Sequence, residues 1–226
     1  ILTMRILAEE KKNRTDQLLL TAPVPVWKVV LGKYLSMVTI YAIPVVISAF
    51  YPLIMGKYGT VSYPMAYAAV LGFFFLGCAQ IAVGLFLSSV TESQVIAAVL
   101  TFGILFCSYM MDGIESFFSD TAISSMVAFL ILAVVLGIVV YQLTKNIIFS
   151  SCVGGVLVVG VAALYFIKPT IFTGLIQKFL NLFAIANHFD NFVGGILDVT
   201  GIIYMLSVVC IFVFLTVQCI QKRRWS

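Results

Sequence analysis

Six stretches of 17 to 23 residues (34–56, 66–88, 95–111, 126–144, 147–167 and 201–220) contain no Asp, Glu, Lys, Arg or His. A hydrocarbon core of about 30 Å is crossed by about 20 apolar helical residues. Each stretch therefore has the length of a membrane span, the third being the shortest. Lipid offers no partner for backbone N–H and C=O groups, which leaves helices and closed barrels as spanning structures. The stretches are continuously apolar rather than alternating, which argues against a barrel. Composition agrees, with 62% of the 226 residues hydrophobic and 10% charged, against roughly 45–50% and 25% in soluble domains. Such a chain lacks the polar residues for a water-soluble shell and is too apolar for disorder. The expected fold is all-α, a polytopic transmembrane helical bundle.

Small residues mark where these helices can approach one another. Ala68, Gly72, Gly77, Gly84 and Ser88 lie on the second stretch and Gly154, Gly155 and Gly160 on the fifth. Small-residue contacts pack helices in lipid, although glycine is also common in membrane helices generally. Pro44 predicts a kink in the first stretch.

The placement of positive charge sets the expected topology. Arg5, Lys11, Lys12, Arg14, Lys28 and Lys33 precede the first stretch, Lys145 separates the fourth from the fifth, and Lys222, Arg223 and Arg224 follow the last. With both ends cytoplasmic these are all inside, and only Lys57, Lys168 and Lys178 are outside. The expected division is a cytoplasmic segment 1–33 and a transmembrane domain 34–226. Residues 168–200 form an external segment. Within it Phe172, Leu175, Ile176, Phe179, Leu180 and Phe183 follow helical spacing, with Thr173, Gln177, Lys178 and Asn181 on the other face. This predicts an amphipathic helix in the interface plane. His188, Phe189, Asp190 and Phe192 follow it, as an external gate or as a lid against the headgroups. No signal-peptide pattern is present, and the leading Ile-Leu-Thr-Met reads as the tail of an earlier span.

Several chemistries lack their residues. The one histidine and the five cysteines at 78, 107, 152, 210 and 219 make no metal-ligand spacing; four of the cysteines lie within spans and the last at a span end, and they read as small hydrophobes. No GxSxG or P-loop occurs: Gly32-Lys33 and Gly56-Lys57 are each followed by tyrosine. No cofactor and no metal are therefore expected. The uncharged spans offer none of the ionisable groups with which ion-coupled transporters usually hold a coupling ion. If the bundle moves a cargo, its energy enters from outside. In the segment before the first span, Thr15-Asp16 reads as a helix start, Leu18-Leu19-Leu20 as an apolar patch and Pro23 and Pro25 as breaks. Such a helix suits docking to a soluble partner or lying on the lipid.

The order Thr3-Met4-Arg5, Ala8-Glu9-Glu10-Lys11, Thr15-Asp16-Gln17-Leu18-Leu19-Leu20-Thr21-Ala22-Pro23-Val24 and Val30-Leu31-Gly32-Lys33 closely resembles permease subunits of ABC-2-type transporters, in particular their gliding-motility-related branch. Gly84–Ser89 with Thr91–Ala98, His188-Phe189-Asp190 with Phe192 and Gly195–Asp198, and Arg223-Arg224-Trp225 extend the resemblance over nearly the whole chain. Many members carry Gly at the position of Arg14 and Glu at that of Gln17. The resemblance implies an ABC-2, or type V exporter-like, membrane domain in a bacterial inner membrane. It makes 1–33 a coupling segment in which Glu9, Glu10, Lys11, Thr15, Asp16, Gln17, Leu18, Leu19, Leu20 and Pro23 meet a separate ABC ATPase subunit, which binds the ATP. A second permease copy or paralogue and membrane lipid complete the expected partners; nucleic acid is not among them. The family's two spans ahead of this motif imply that the chain is truncated at its N-terminus. Its usual six spans imply that the 126–167 hairpin is an addition or that one stretch is re-entrant. The alternatives are a non-transporting anchor or scaffold of an envelope or motility complex, and an ion-coupled carrier.

Overall fold

A computed structural model describes residues 2–13, 24–144, 151, 154–156, 158–161, 165 and 172–224. These are helical, with no strand among the described residues. The elements are α1 (Leu2–Ile6), α2 (Ala8–Lys12), α3 (Val26–Ser48), α4 (Tyr51–Met55), α5 (Tyr63–Val90), α6 (Gln94–Ser116), α7 (Ala122–Thr144), α8 (Leu175–Asn181), α9 (Asn187–Val193) and α10 (Val199–Arg224). Four stretches among the described residues are long and apolar enough to cross a membrane: Val26–Met55, Tyr63–Val90, Gln94–Met111 and Val199–Lys222. The helix α7 is apolar over Ala122–Ile138, and the expected span 147–167 falls largely outside the described residues.

Helix α3 opens eight residues before the expected start of the first span, so Val26–Lys33 continue the membrane helix rather than leading up to it. It runs through Pro44 to Ser48, where the regular helical hydrogen-bond pattern breaks although Ala49 and Phe50 keep right-handed helical backbone angles. The break sits where Pro52, at the start of α4, has no N–H to return to the carbonyl of Ser48.

The chain divides into two compact units, residues 1–109 with 185–226, and residues 110–184. In the first, α5 packs against α10, α9, α1 and α3. Over half of its apolar window is buried (56%), against 17% in α10. Nine of its thirteen buried residues are Gly, Ala, Ser or Cys, so its neighbours approach the backbone itself. A Cβ on Gly72 would stand within 3 Å of the Phe192 ring. One on Gly77 would meet the Tyr41 ring as closely, and one on Gly84 the Thr3 side chain.

Contact order along the helices gives their directions. Val26, Val30 and Tyr34 on α3 cluster with Ile81, Ala82 and Leu85 on α5 and with Val213, Val217 and Ile220 on α10. Further along α3, Tyr41 stacks on Phe74. On α10, Met205 packs with Ala79 and Phe212 with Phe86, and the Cys219 thiol donates to the Ser89 carbonyl at 3.5 Å. Helix α3 is thus antiparallel to α5, and α10 parallel to it. One end of the unit gathers α1, α2, the start of α3 and the ends of α5 and α10. The opposite end gathers α4, α9 and the starts of α5 and α10.

Polar groups within these helices are satisfied locally, as lipid demands. The hydroxyls of Thr39, Ser48, Thr101 and Thr216 each donate to the carbonyl four residues back. Tyr34 donates to the Cys78 carbonyl and Tyr41 to that of Phe73.

In the second unit, Phe129 on α7 meets Phe172 and Phe179 edge-on, with centroids 6.4 and 5.6 Å apart. The Ser125 hydroxyl accepts the Ile176 N–H. Gln177, expected on the polar face of its helix, is instead buried, and its Nε2 donates to the Phe118 carbonyl. Of the expected glycine contacts on the fifth stretch, Gly154 lies against Gly137, whereas Gly155 and Gly160 have open space at a Cβ.

Replacing Gly72 with alanine is expected to force the buried Phe192 aside at a cost of about 1–3 kcal/mol. Gly103→Ala, where a Cβ meets nothing within 4 Å, gains about 1 kcal/mol of helix propensity at most. Thermal unfolding in lipid nanodiscs should therefore show a lowered midpoint for the first and an unchanged or raised one for the second; equal midpoints contradict the packing at Gly72.

Candidate functional site

Residues 2–13 hold two short helices, α1 and α2, interrupted at Leu7, which forms the elbow between them. A helix start leaves backbone N–H groups without partners. Here the fully buried Ser88 near the end of α5 accepts the Ala8 N–H at 3.1 Å and donates its own proton to the Met4 carbonyl at 3.4 Å. Thr3 rests on Gly84, one helical turn away, and Leu7 and Ala8 are buried. The α1–α2 elbow is thus keyed to α5 by one hydroxyl and one missing side chain.

Charge fastens the same elbow. Arg5 donates twice to the Glu9 carboxylate, at 3.1 and 3.2 Å, one turn along. Glu10 forms an ion pair with Lys33 of α3. The Lys33 side chain is 16% exposed and that of Glu10 33%, so this pair is shielded, whereas Arg5–Glu9 is open to solvent and counts for little. At the mouth of α3 Lys28 lies over the Trp27 ring, 5.6 Å from its centre. Half-exposed Trp27 has the position of an interfacial anchor.

Of the residues expected to meet a partner, Glu9 and Glu10 therefore stand on α2 with their carboxylates already engaged within the chain, and Lys11 follows them on the same helix. Thr15, Asp16, Gln17, Leu18, Leu19, Leu20 and Pro23 lie outside the described residues.

The expected external-gate residues all lie on α9, at the opposite end. His188 stacks on Tyr204 of α10 with ring centres 3.9 Å apart. Phe189 tilts against Phe73 of α5. Phe192 is fully buried against Gly72 and Gly201, and Asp190 is exposed. Three of the four turn towards α5 and α10. The chain leaves α9 through Gly195, whose φ of 80° is one that side chains rarely adopt. It then reaches Asp198, which caps α10: its carboxylate accepts the Asn191 amide at 2.9 Å and the Thr200 N–H at 2.9 Å. The Asn191 hydrogen bond, followed by those from the backbone of Thr200 and Gly201, holds the Asp198 carboxyl below the usual carboxylate range.

Ser88, Lys33, Asn191 and Asp198 were not expected as site residues. A buried hydroxyl one turn from a helix-contact glycine is the signal that marks Ser88. Lys33 and Glu10 are 23 residues apart, and no local pattern joins them. Among the described residues, no group of three or more His, Cys, Asp or Glu side chains converges.

This arrangement, several apolar helices with a polar elbow keyed to one end of their central member, is that of a multi-pass membrane protein. The sequence profile of the ABC-2 family transporter proteins matches residues 1–220, and the chain belongs to that family. It is thus a membrane-embedded component of the ABC transporter type, a family that in general works with an ABC ATPase. Comparison with curated proteins gave no match, and neither did comparison with solved structures.

Two predictions follow from the two ends. Neutralising one partner of a shielded pair leaves a lone charge, whereas neutralising both does not. Glu10→Gln and Lys33→Gln should each lower the thermal midpoint more than the double variant does; strict additivity contradicts the pair. For Asp198 the folded-state pKa is depressed, so its contribution is complete above the unfolded value of about 4 and is lost as pH falls through the lower folded value. The midpoint difference between the wild type and Asp198→Asn should hold at neutral pH and close below pH about 4; a pH-independent difference contradicts the assignment.

Proposed function

We propose that this chain is the permease subunit of an ATP-driven exporter of the gliding-motility-related branch, in a bacterial inner membrane with both chain ends cytoplasmic. A separate ATPase subunit binds the ATP and docks on residues 1–33, through Glu9, Glu10, Lys11, Thr15, Asp16, Gln17, Leu18, Leu19, Leu20 and Pro23. The permease has no catalytic residue and no cofactor of its own. A second permease copy or a paralogue lies alongside it, and His188, Phe189, Asp190 and Phe192 serve the outer gate.

The observation that carries this reading is the keyed elbow. Residues 3–10 are bonded to the end of the most buried helix in their unit, so a push on the elbow is delivered to the bundle. Arg5, Lys28, Lys33 and Lys222 belong to elements gathered at that end, the distribution expected of a cytoplasmic face. An anchoring subunit would need no such fastening between a peripheral segment and a central helix.

Glu9→Lys with Asp16→Lys reverses charge on the segment while leaving Glu10 with Lys33. Co-purification of the permease with a candidate ABC ATPase subunit should fall about tenfold or more, as expected when charges across an interface are made repulsive, with the permease's thermal midpoint unchanged. Full recovery of the ATPase with the variant contradicts the docking site. An ATPase that never associates with the wild type favours the anchoring subunit.

A further inference from the structure

The keyed elbow and the outer helix α9 grip the same helix at two levels. At the lower level Thr3 fills the space over Gly84, and Ser88 bonds both Met4 and Ala8. Twelve residues earlier on α5, about 18 Å away at 1.5 Å per residue, Gly72 receives the fully buried Phe192. Beside it Phe73 meets Phe189, and beyond it Met65 abuts Gly195. Between the levels, the helix is braced at Gly77 by Tyr41, whose hydroxyl is bonded to the Phe73 carbonyl. Proline occurs in α5 only in its first turn, at Pro64, where it leaves the interior hydrogen bonds intact.

From these contacts we propose that α5 is a strut that makes the α1–α2 elbow and the outer helix α9 move as one body, with Ser88 and Phe192 as its two positioning residues. A glycine facing a side chain with no gap leaves no slack for one element to shift alone, because close-packed contacts transmit displacement rather than absorb it. Each glycine that would soften α5 is occupied by a side chain from a neighbour, so the helix has little freedom to bend between its ends. A displacement applied near Ala8 then appears at Phe192, and a loosening at either end appears at the other, since coupling between sites is reciprocal. The proposal deepens the functional reading by naming what the docking segment moves. The strut itself is a property of the folded chain and needs no ATPase to be observed.

Hydrogen exchange of the full chain in nanodiscs, without ATPase or nucleotide, tests it. Ser88→Ala removes both elbow bonds, and Thr3→Ala is a milder change at the same level. The expected result is exchange about fivefold faster in residues 4–9 and in residues 189–193 together. Amides 98–105 of α6, which start beyond the end of α5 and include no buried residue, should be unchanged. Phe192→Leu should conversely speed exchange in residues 4–9. Faster exchange at the elbow with wild-type rates in α9 overturns the proposal. So does a uniform rise that includes α6, since that reports general loosening rather than a strut. The co-purification experiment can fail while this one succeeds, and the reverse, so the two readings are separable.

Discussion

The packing of the first unit depends on three places where α5 lacks a side chain. In lipid there is little hydrophobic gain from pressing one apolar helix on another, so association rests on close van der Waals contact and hydrogen bonds. Gly72, Gly77 and Gly84 supply that contact, each to a different partner: α9, α3 and α1. The residues between them are themselves small, which lets α10 run alongside at the level of Ala79 and Val83. A bulkier α5 would hold its neighbours a side chain's width away, and Ser88 would be out of reach of the elbow's backbone.

The polar interactions that matter sit at the two ends of this packed unit, where water gives way to lipid. At the elbow, a hydroxyl and a shielded Glu10–Lys33 pair hold the short α1–α2 segment, which has no core of its own. At the opposite end, Asp198 and Asn191 fix the turn between α9 and α10. Between them Thr39, Ser48, Thr101 and Thr216 bond carbonyls of their own helices, and Tyr34 and Tyr41 bond carbonyls of α5. The only ionisable side chains of the charged type within the apolar windows lie near helix ends, as with Lys28, Lys33 and Lys222, where long side chains can reach the interface.

Much of the architecture was legible in the sequence because lipid leaves few options. Uncharged stretches of span length must be helical, and the small residues Ala68, Gly72, Gly77, Gly84 and Ser88 were marked as contact points; all five are buried. Which partner each one meets was not legible, because Phe192, Tyr41 and Thr3 come from distant parts of the chain. The elbow's charges were visible, but their engagement was not: Glu10 and Lys33, 23 residues apart, are brought together only by the folded chain. Gln177 was expected to face water on grounds of polarity, and it is buried with its amide donating to the carbonyl of Phe118, 59 residues away in the chain. The start of α3 at Val26 escaped prediction for a related reason, since Lys28 and Lys33 interrupt the apolar pattern without interrupting the helix.

For a member of the ABC-2 transporter family, these features suggest a division of labour. The peripheral segment fastened to the central helix by the Ser88 hydroxyl, and to α3 by the Glu10–Lys33 pair, is part of the segment proposed to dock the ATPase. The account stands or falls on where the ATPase sits. A density map of the chain in lipid with its ATPase bound measures that directly. The account predicts ATPase density against residues 8–24, at the end shared by the start of α3 and the end of α10. Density against residues 187–198 instead, or an ATPase held away from the elbow, would contradict it.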